Sequence, residues 1–151
     1  MRVTILAVGK AKAGPQRDLY EHYAARLRWP LRLIEVEEKR KLAADALKAR
    51  EADLLLAQIP AGAKLCALDE HGTAASSADL AGWLRQWQDQ GADVAFAIGG
   101  ADGHGAALLA RADRKLAFGA LTWPHMLVRG LLAEQLYRAQ QILAGHPYHR
   151  E

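Results

Sequence analysis

The alternation of short apolar runs with helical patterns constrains this chain more than any other feature. Val3–Val8 reads VTILAV, a continuous apolar run of the kind that forms a strand buried on both faces. Residues 16–27 carry Leu19, Tyr20, Tyr23, Ala24 and Leu27 on one helical face, and Pro30 breaks the pattern. Leu31–Val36 predicts a second strand, and residues 43–58 an Ala- and Leu-rich helix stopped by Pro60 and Gly62. Residues 65–68 predict strand three, closing on Asp69, with loop from Gly72 to Ser77. Ser76 with Asp79 three positions on forms a capping box for a helix running to about Gln88. Trp83 and Trp87 share a face of that helix, where core or partner packing is the default. Val94–Ile98 predicts strand four, residues 106–112 a short helix, and residues 115–118 strand five. Strands alternating with helices imply one α/β domain over residues 1–151, with a mostly parallel sheet flanked by helices.

In such sheets ligands bind beyond the carboxyl ends of the strands. Three loops leave those ends: after Leu68, at residues 99–105, and at residues 118–124. These are the cofactor candidates. The glycine-rich second loop, GGADGHG, does not fit the dinucleotide fingerprint G-x-G-x-x-G. It follows strand four, and no strand bearing a ribose-binding acid lies about 20 residues on. The phosphate-loop pattern is absent too. What remains is backbone free to approach a ligand closely, or simply a tight strand-to-helix turn.

The last helix is the longest. Val128, Leu131, Leu132, Leu136, Ala139, Ile142 and Leu143 recur at three- and four-residue steps, and Glu134 and Arg138 form an i,i+4 pair. Over residues 127–144 it is roughly 27 Å long. Loop 118–124 lies before it, and His146-Pro147-Tyr148-His149-Arg150-Glu151 follow it. Six residues span at most ~20 Å. If both ends serve one site, the simplest geometry is a homodimer in which each tail completes the partner's site.

Charge bears on the partner. Net charge is +3 with an isoelectric point near 9.2. Basic residues cluster at Lys10/Lys12, Arg26/Arg28/Arg32 and Lys39-Arg40-Lys41. A polyanion is one reading of these clusters, and an ordinary solvated surface the other. The single cysteine, Cys66, lies in an apolar run and reads as a core thiol, which fits a reducing cytoplasm. No run of about 18 apolar residues predicts a membrane span, and no signal peptide precedes the first strand. His146 and His149 lack a third ligand at motif spacing, so no metal is expected. No Ser or Cys triad and no paired catalytic carboxylates are evident.

The tail is more telling. Tyr and His stack on bases, and Arg forks onto a carbonyl or phosphate. Packing of the terminus for stability is the plain alternative. A wider set of residues carries a resemblance: Leu68-Asp69, Ile98-Gly99-Gly100-Ala101-Asp102-Gly103, Ala120-Leu121-Thr122-Trp123-Pro124-His125, Leu127-Val128-Arg129, Glu134-Gln135-Leu136-Tyr137-Arg138-Ala139 and the closing His146-Pro147-Tyr148-His149-Arg150-Glu151. With these the chain resembles, over essentially its whole length, the H family of ribosomal RNA large subunit methyltransferases. These are the pseudouridine N3-methyltransferases of the SPOUT (α/β-knot) superfamily.

The resemblance implies a C-terminal trefoil knot that holds S-adenosyl-L-methionine bent. It implies methylation at N3 of pseudouridine 1915 of 23S rRNA, late, on the assembled ribosome. Another RNA target within SPOUT, or a non-catalytic RNA- or ribosome-binding factor, are the alternatives. It carries cofactor binding to Leu68, Gly99, Phe118, Gly119, Ala120, Leu121, Thr122 and Trp123. Trp123 stands where the family pattern often has an aliphatic residue. It carries the chemistry to Tyr148, His149 and Arg150. N3–H must lose its proton for transfer. Arg150 cannot be the base because guanidinium stays protonated, but it can stabilise charge on the flanking carbonyls. His149 is suited to be the base, with Tyr148 orienting or stacking; the residues leave that assignment open.

Overall fold

The structure is a computed structural model and describes residues 1–150. Ten elements alternate: β1 (Val3–Val8), α1 (Pro15–Ala24), β2 (Leu31–Val36), α2 (Ala44–Leu56), β3 (Lys64–Thr73), α3 (Ser77–Asp89), β4 (Val94–Ile98), α4 (Ala106–Arg111), β5 (Arg114–Leu116) and α5 (His125–Leu143). The strands form one parallel sheet in the order β2-β1-β4-β3-β5. Helices cover both faces. This is the α/β architecture the alternation predicts, and β1, β2 and β4 have the predicted bounds.

Strand alternation divides the core. Val3, Ile5 and Ala7 of β1 and Val94, Phe96 and Ile98 of β4 face α3 and α5, meeting Leu80, Leu84, Trp87, Leu132 and Leu136. Leu6, Val8, Ala95 and Ala97 face the other way, onto Ala52 and Leu55 of α2 and Leu108 of α4. Successive residues point to opposite faces of a strand, so a strand with a helix on each side must be apolar throughout. Cys66 is fully buried between these layers, and burial pushes its thiol up to about 12, which removes it as a nucleophile at neutral pH. The capping box forms: Ser76 Oγ accepts from the Asp79 amide at 3.0 Å, and Asp79 accepts from the Ser76 amide at 3.0 Å. Trp87 is core, whereas Trp83 is half-buried beneath the Arg114 guanidinium at 4.6 Å.

Most helix ends shift by one or two residues, and three elements differ in an instructive way. α1 stops at Ala24, because Arg26 and Leu27 donate to carbonyls three residues back as the chain tightens before Pro30. β5 starts one residue earlier than predicted and ends at Leu116. The larger correction is β3. Instead of closing near Leu68 it continues to Thr73 through a bulge, with Leu68 and Thr73 both opposite Leu116. Gly72 makes this possible. A Cβ there would stand 2.7 Å from the carbonyl carbon of Lys115 and 2.8 Å from its oxygen, so only glycine lets β3 pass this close to β5. Residues 69–73, DEHGT, carry no strand pattern of their own.

Candidate functional site

The bulged stretch of β3 and the carboxyl ends of β4 and β5 open into a cavity of about 510 Å³. Leu68, Gly99, Phe118, Gly119, Leu121, Thr122 and Trp123 line it; Ala120 lies in the same loop but does not. Apolar walls come from Ile98, Leu116 and Val128, and the carboxylates of Asp69, Glu70 and Asp102 stand around it. The third loop is shaped by its own residues. Gly119 has φ +87, a backbone conformation L-residues avoid, and a Cβ there would meet nothing within 4 Å. Trp123 Nε1 donates to the Phe118 carbonyl at 2.9 Å and closes the loop on itself.

The glycine-rich loop works otherwise than close approach to a ligand would suggest. A Cβ on Gly99 would press on Gly103 and on the His104 ring at 3.1–3.3 Å. One on Gly100 would press on Val8 at 3.2 Å and on both Glu51 oxygens at 3.3 Å. These glycines let the loop pack on its own protein. Beneath it Glu51 is buried, and burial, then the charge of Asp102, push its carboxyl above the usual range. His104 is buried with Nε2 3.1 Å from the Ala97 carbonyl. Burial holds its pKa below the usual value, so the ring is neutral at pH 7 and Nε2 donates to that carbonyl.

A second cavity, about 670 Å³, lies along α5 on the side of α1 and α3. Leu116, Phe118, Gly119 and Trp123 line both cavities, so one wall divides them. The tail closes the far end of the second. After Gly145, at φ +71, the chain turns back, and the Tyr148 hydroxyl donates to Glu134 Oε1 at 3.1 Å. Burial, then the bond to Glu134, push the Tyr148 phenol up to about 12. Arg138 binds Glu134 at 2.6 Å, lies 4.9 Å over the Tyr148 ring, and has Nη1 3.2 Å from His149 Nδ1. Guanidinium has only donors, so His149 Nδ1 accepts and its proton sits on Nε2. His146 Nδ1 accepts the Tyr148 amide at 3.2 Å. Arg150 is exposed.

Two corrections follow. The tail doubles back over roughly half of α5, about 14 Å from Leu143 to Glu134, and the cavity spans the rest. The ends of this helix therefore do reach one region within a single chain. Sequence reading also treated Glu134 and Arg138 as a helix-stabilising pair and did not place them against Tyr148 and His149. Their spacing was visible, but the tail that folds onto them was not.

The chain belongs to a recognisable class. A family model described as predicted SPOUT methyltransferase matches residues 1–149, and this chain belongs to the SPOUT methyltransferase family. Among curated relatives, the ribosomal RNA large subunit methyltransferase H of Paramagnetospirillum magneticum is 64% identical over 151 residues, covering 99% of each chain. The proteins of the same name from Rhodospirillum rubrum and Rhodospirillum centenum are 62% and 60% identical over the same length, again covering 99% of each chain. The chain is thus a methyltransferase. No helix in the described residues is long and apolar enough to cross a membrane. No group of three His, Cys, Asp or Glu in them could hold a metal ion.

Proposed function

We propose that this protein transfers the methyl group of S-adenosyl-L-methionine to N3 of pseudouridine 1915 in 23S rRNA, on the assembled ribosome in the cytoplasm, as a homodimer. The shared wall carries this reading: a base in the tail-lined cavity lies against the same Phe118, Gly119 and Trp123 that bound the donor cavity. The relatives' name supports ribosomal RNA of the large subunit as the target. The donor cavity fits the cofactor's chemistry, with apolar walls for an aromatic ring and carboxylates for a cation. Leu121, 71% exposed, and Trp123, 40% exposed, support a partner subunit covering this edge. The trefoil knot belongs to the same reading, supported by a chain that leaves the sheet edge at β5 and returns through loop 117–124 to pack α5 beside α1 and α3.

When bound, the cofactor supplies an electrophilic methyl group on a sulfonium. Everything else is positioning and electrostatics. Asp69, Glu70 and Asp102 complement positive charge. The Tyr148 phenol stays protonated at neutral pH and offers its ring for stacking. Arg150 is the cation available for charge developing on the base carbonyls. His149 presents Nε2–H as a donor and accepts a proton at Nδ1 only once Arg138 releases it.

The test is mass spectrometry of 23S rRNA from cells lacking the protein, followed by repair with purified protein, S-adenosyl-L-methionine and ribosomes. The expected result is loss and recovery of one methyl group at pseudouridine 1915. An unchanged methylation pattern in the deletion strain refutes the assignment.

A further inference from the structure

The basic clusters of the sequence divide in the fold. In the loop before α2, Glu38 pairs with both Arg40 and Arg50, at 3.0 and 2.9 Å, so part of that run is neutralised. Lys10 and Lys12 differ: among the described residues neither has a carboxylate within ion-pair distance. They line a third cavity, about 800 Å³, beyond the carboxyl end of β1.

The lining of this cavity is built for an anion. Its carboxylates are already engaged. Glu35 accepts from Arg129 and, at 2.7 Å, from the Ala11 amide; Glu21 accepts from Arg17 at 2.9 Å. α1 begins here, with Gly14 as its cap and no side chain accepting its first amides, so the positive end of the helix is open. Arg129 also lines the cavity and is 2% exposed. Its Nη2 donates to the carbonyls of Val8 and Gly9, while its Nε has no acceptor. A buried guanidinium N–H without an acceptor is costly, and with its fixed charge Arg129 adds to the positive potential of this lining.

Position identifies the anion. Met126 and Arg129 line this cavity, and His125, one residue earlier on α5, lines the donor cavity. Gly9 brings the end of β1 against that same turn: a Cβ there would lie 3.0 Å from Met126 and 3.9 Å from His125 Nε2. The two cavities are back to back across the first turn of α5. α1 also separates this cavity from the tail-lined one, lending Leu19 and Tyr23 to the latter and Arg17 and Tyr20 to the former, so a strand with its base in the tail-lined cavity lays a flanking phosphate over the Lys10–Lys12 side. We propose that the cavity between the β1–α1 loop and α5 binds a backbone phosphodiester of the substrate RNA, through Lys10, Lys12 and the start of α1. This inference rests on the ribosomal RNA reading.

The experiment measures binding of a labelled, pseudouridine-containing rRNA stem-loop against salt, together with KM for ribosomes. The variants are Lys10→Gln/Lys12→Gln and the control Lys64→Gln, at the amino end of the sheet. Losing the contact to one phosphate should flatten the log–log salt slope by about 0.7–0.9. It should also raise KM about tenfold while the calorimetric affinity for S-adenosyl-L-methionine is unchanged. An unchanged slope in the double variant overturns the inference, as does an equal change in Lys64→Gln, which would report only the general charge field. Inorganic phosphate at constant ionic strength provides the other arm. If it binds wild type but not the double variant while the RNA slope is the same in both, the site takes a free anion and the inference fails. If wild-type protein leaves ribosomes unmethylated, the functional assignment fails, yet the slope comparison still decides the cavity.

Discussion

Replacing Arg129 by methionine keeps an unbranched chain in the helix and removes a buried cation. Arg129 ties three elements together: Glu35 on β2, the Val8 carbonyl on β1 at 3.3 Å, and the Gly9 carbonyl after it at 2.8 Å. Breaking a buried ion pair from one side costs about 3–5 kcal/mol. The Glu35 side chain is 28% exposed and can turn to water, which places this case near the lower bound, about 3 kcal/mol. For a chain of this size 1 kcal/mol moves Tm by roughly 2–4 °C, so the variant should melt about 6–12 °C lower at pH 7.

The pH dependence is the sharper test of the same substitution. Burial acts to raise the Glu35 pKa, but the hydrogen bond and charge of Arg129, the Ala11 amide and Lys10 outweigh it and hold the carboxyl below its ordinary 4.5. A folded pKa below the unfolded one gives stability that is present above the ordinary value and lost as pH falls through the folded value. In Arg129→Met the burial remains and the strongest opposing group is gone, so this contribution disappears or reverses. The Tm gap between wild type and variant is therefore widest at neutral pH and narrows toward pH 4 and below. A gap under about 2 °C at pH 7, or one that does not narrow in acid, refutes the reasoning.

Gly72→Ala should cost about 1–3 kcal/mol, because its methyl meets the β5 backbone rather than a side chain that can move; thermal melting with no shift counts against the close β3–β5 passage. Gly100→Val should weaken S-adenosyl-L-methionine binding by displacing the loop from Val8 and Glu51, and calorimetry giving wild-type affinity defeats that placement. Tyr148→Phe keeps the ring and loses the hydroxyl bond to Glu134, so methyl transfer should fall by only a few-fold, against roughly a hundredfold for Tyr148→Ala; equal losses in the two would mean that stacking is not the ring's role. Mixing Gly100→Val with Arg150→Ala subunits asks which chain supplies Arg150: about half of wild-type activity should return in verified heterodimers if it comes from the partner, and none if each chain completes its own site.

What the sequence made legible followed from local causes. VTILAV and VAFAI announce strands covered on both faces because nothing else buries such runs, and the strand-end rule led to loops that line the 510 Å³ cavity. Tertiary causes stayed hidden. The DEHGT extension of β3 depends on Gly72 facing a backbone more than forty residues later. Arg129 sits in an apolar helix pattern, and its partner Glu35 is 94 residues away. Glu134 and Arg138 read as a local pair until the tail folded onto them. Strand order was equally unreadable, since parallel strands joined by helices can be arranged in several ways.

That order governs how the chain can be assembled. β4 is inserted between β1 and β3, pairing with both, although each was made well before it. Until residues 94–98 leave the exit tunnel, β1 and β3 each present an apolar edge with no neighbour on that side, and no contiguous sheet exists. Closure of the gap joins segments about ninety residues apart in one step, the kind of non-local pairing that folds slowly. A nascent chain stalled before Ile98 would hold two separate open edges, the form most exposed to aggregation and to proteases. The strand that bridges this gap also leads directly into the glycine-rich loop, so the 510 Å³ cavity gains its middle wall only when the gap closes.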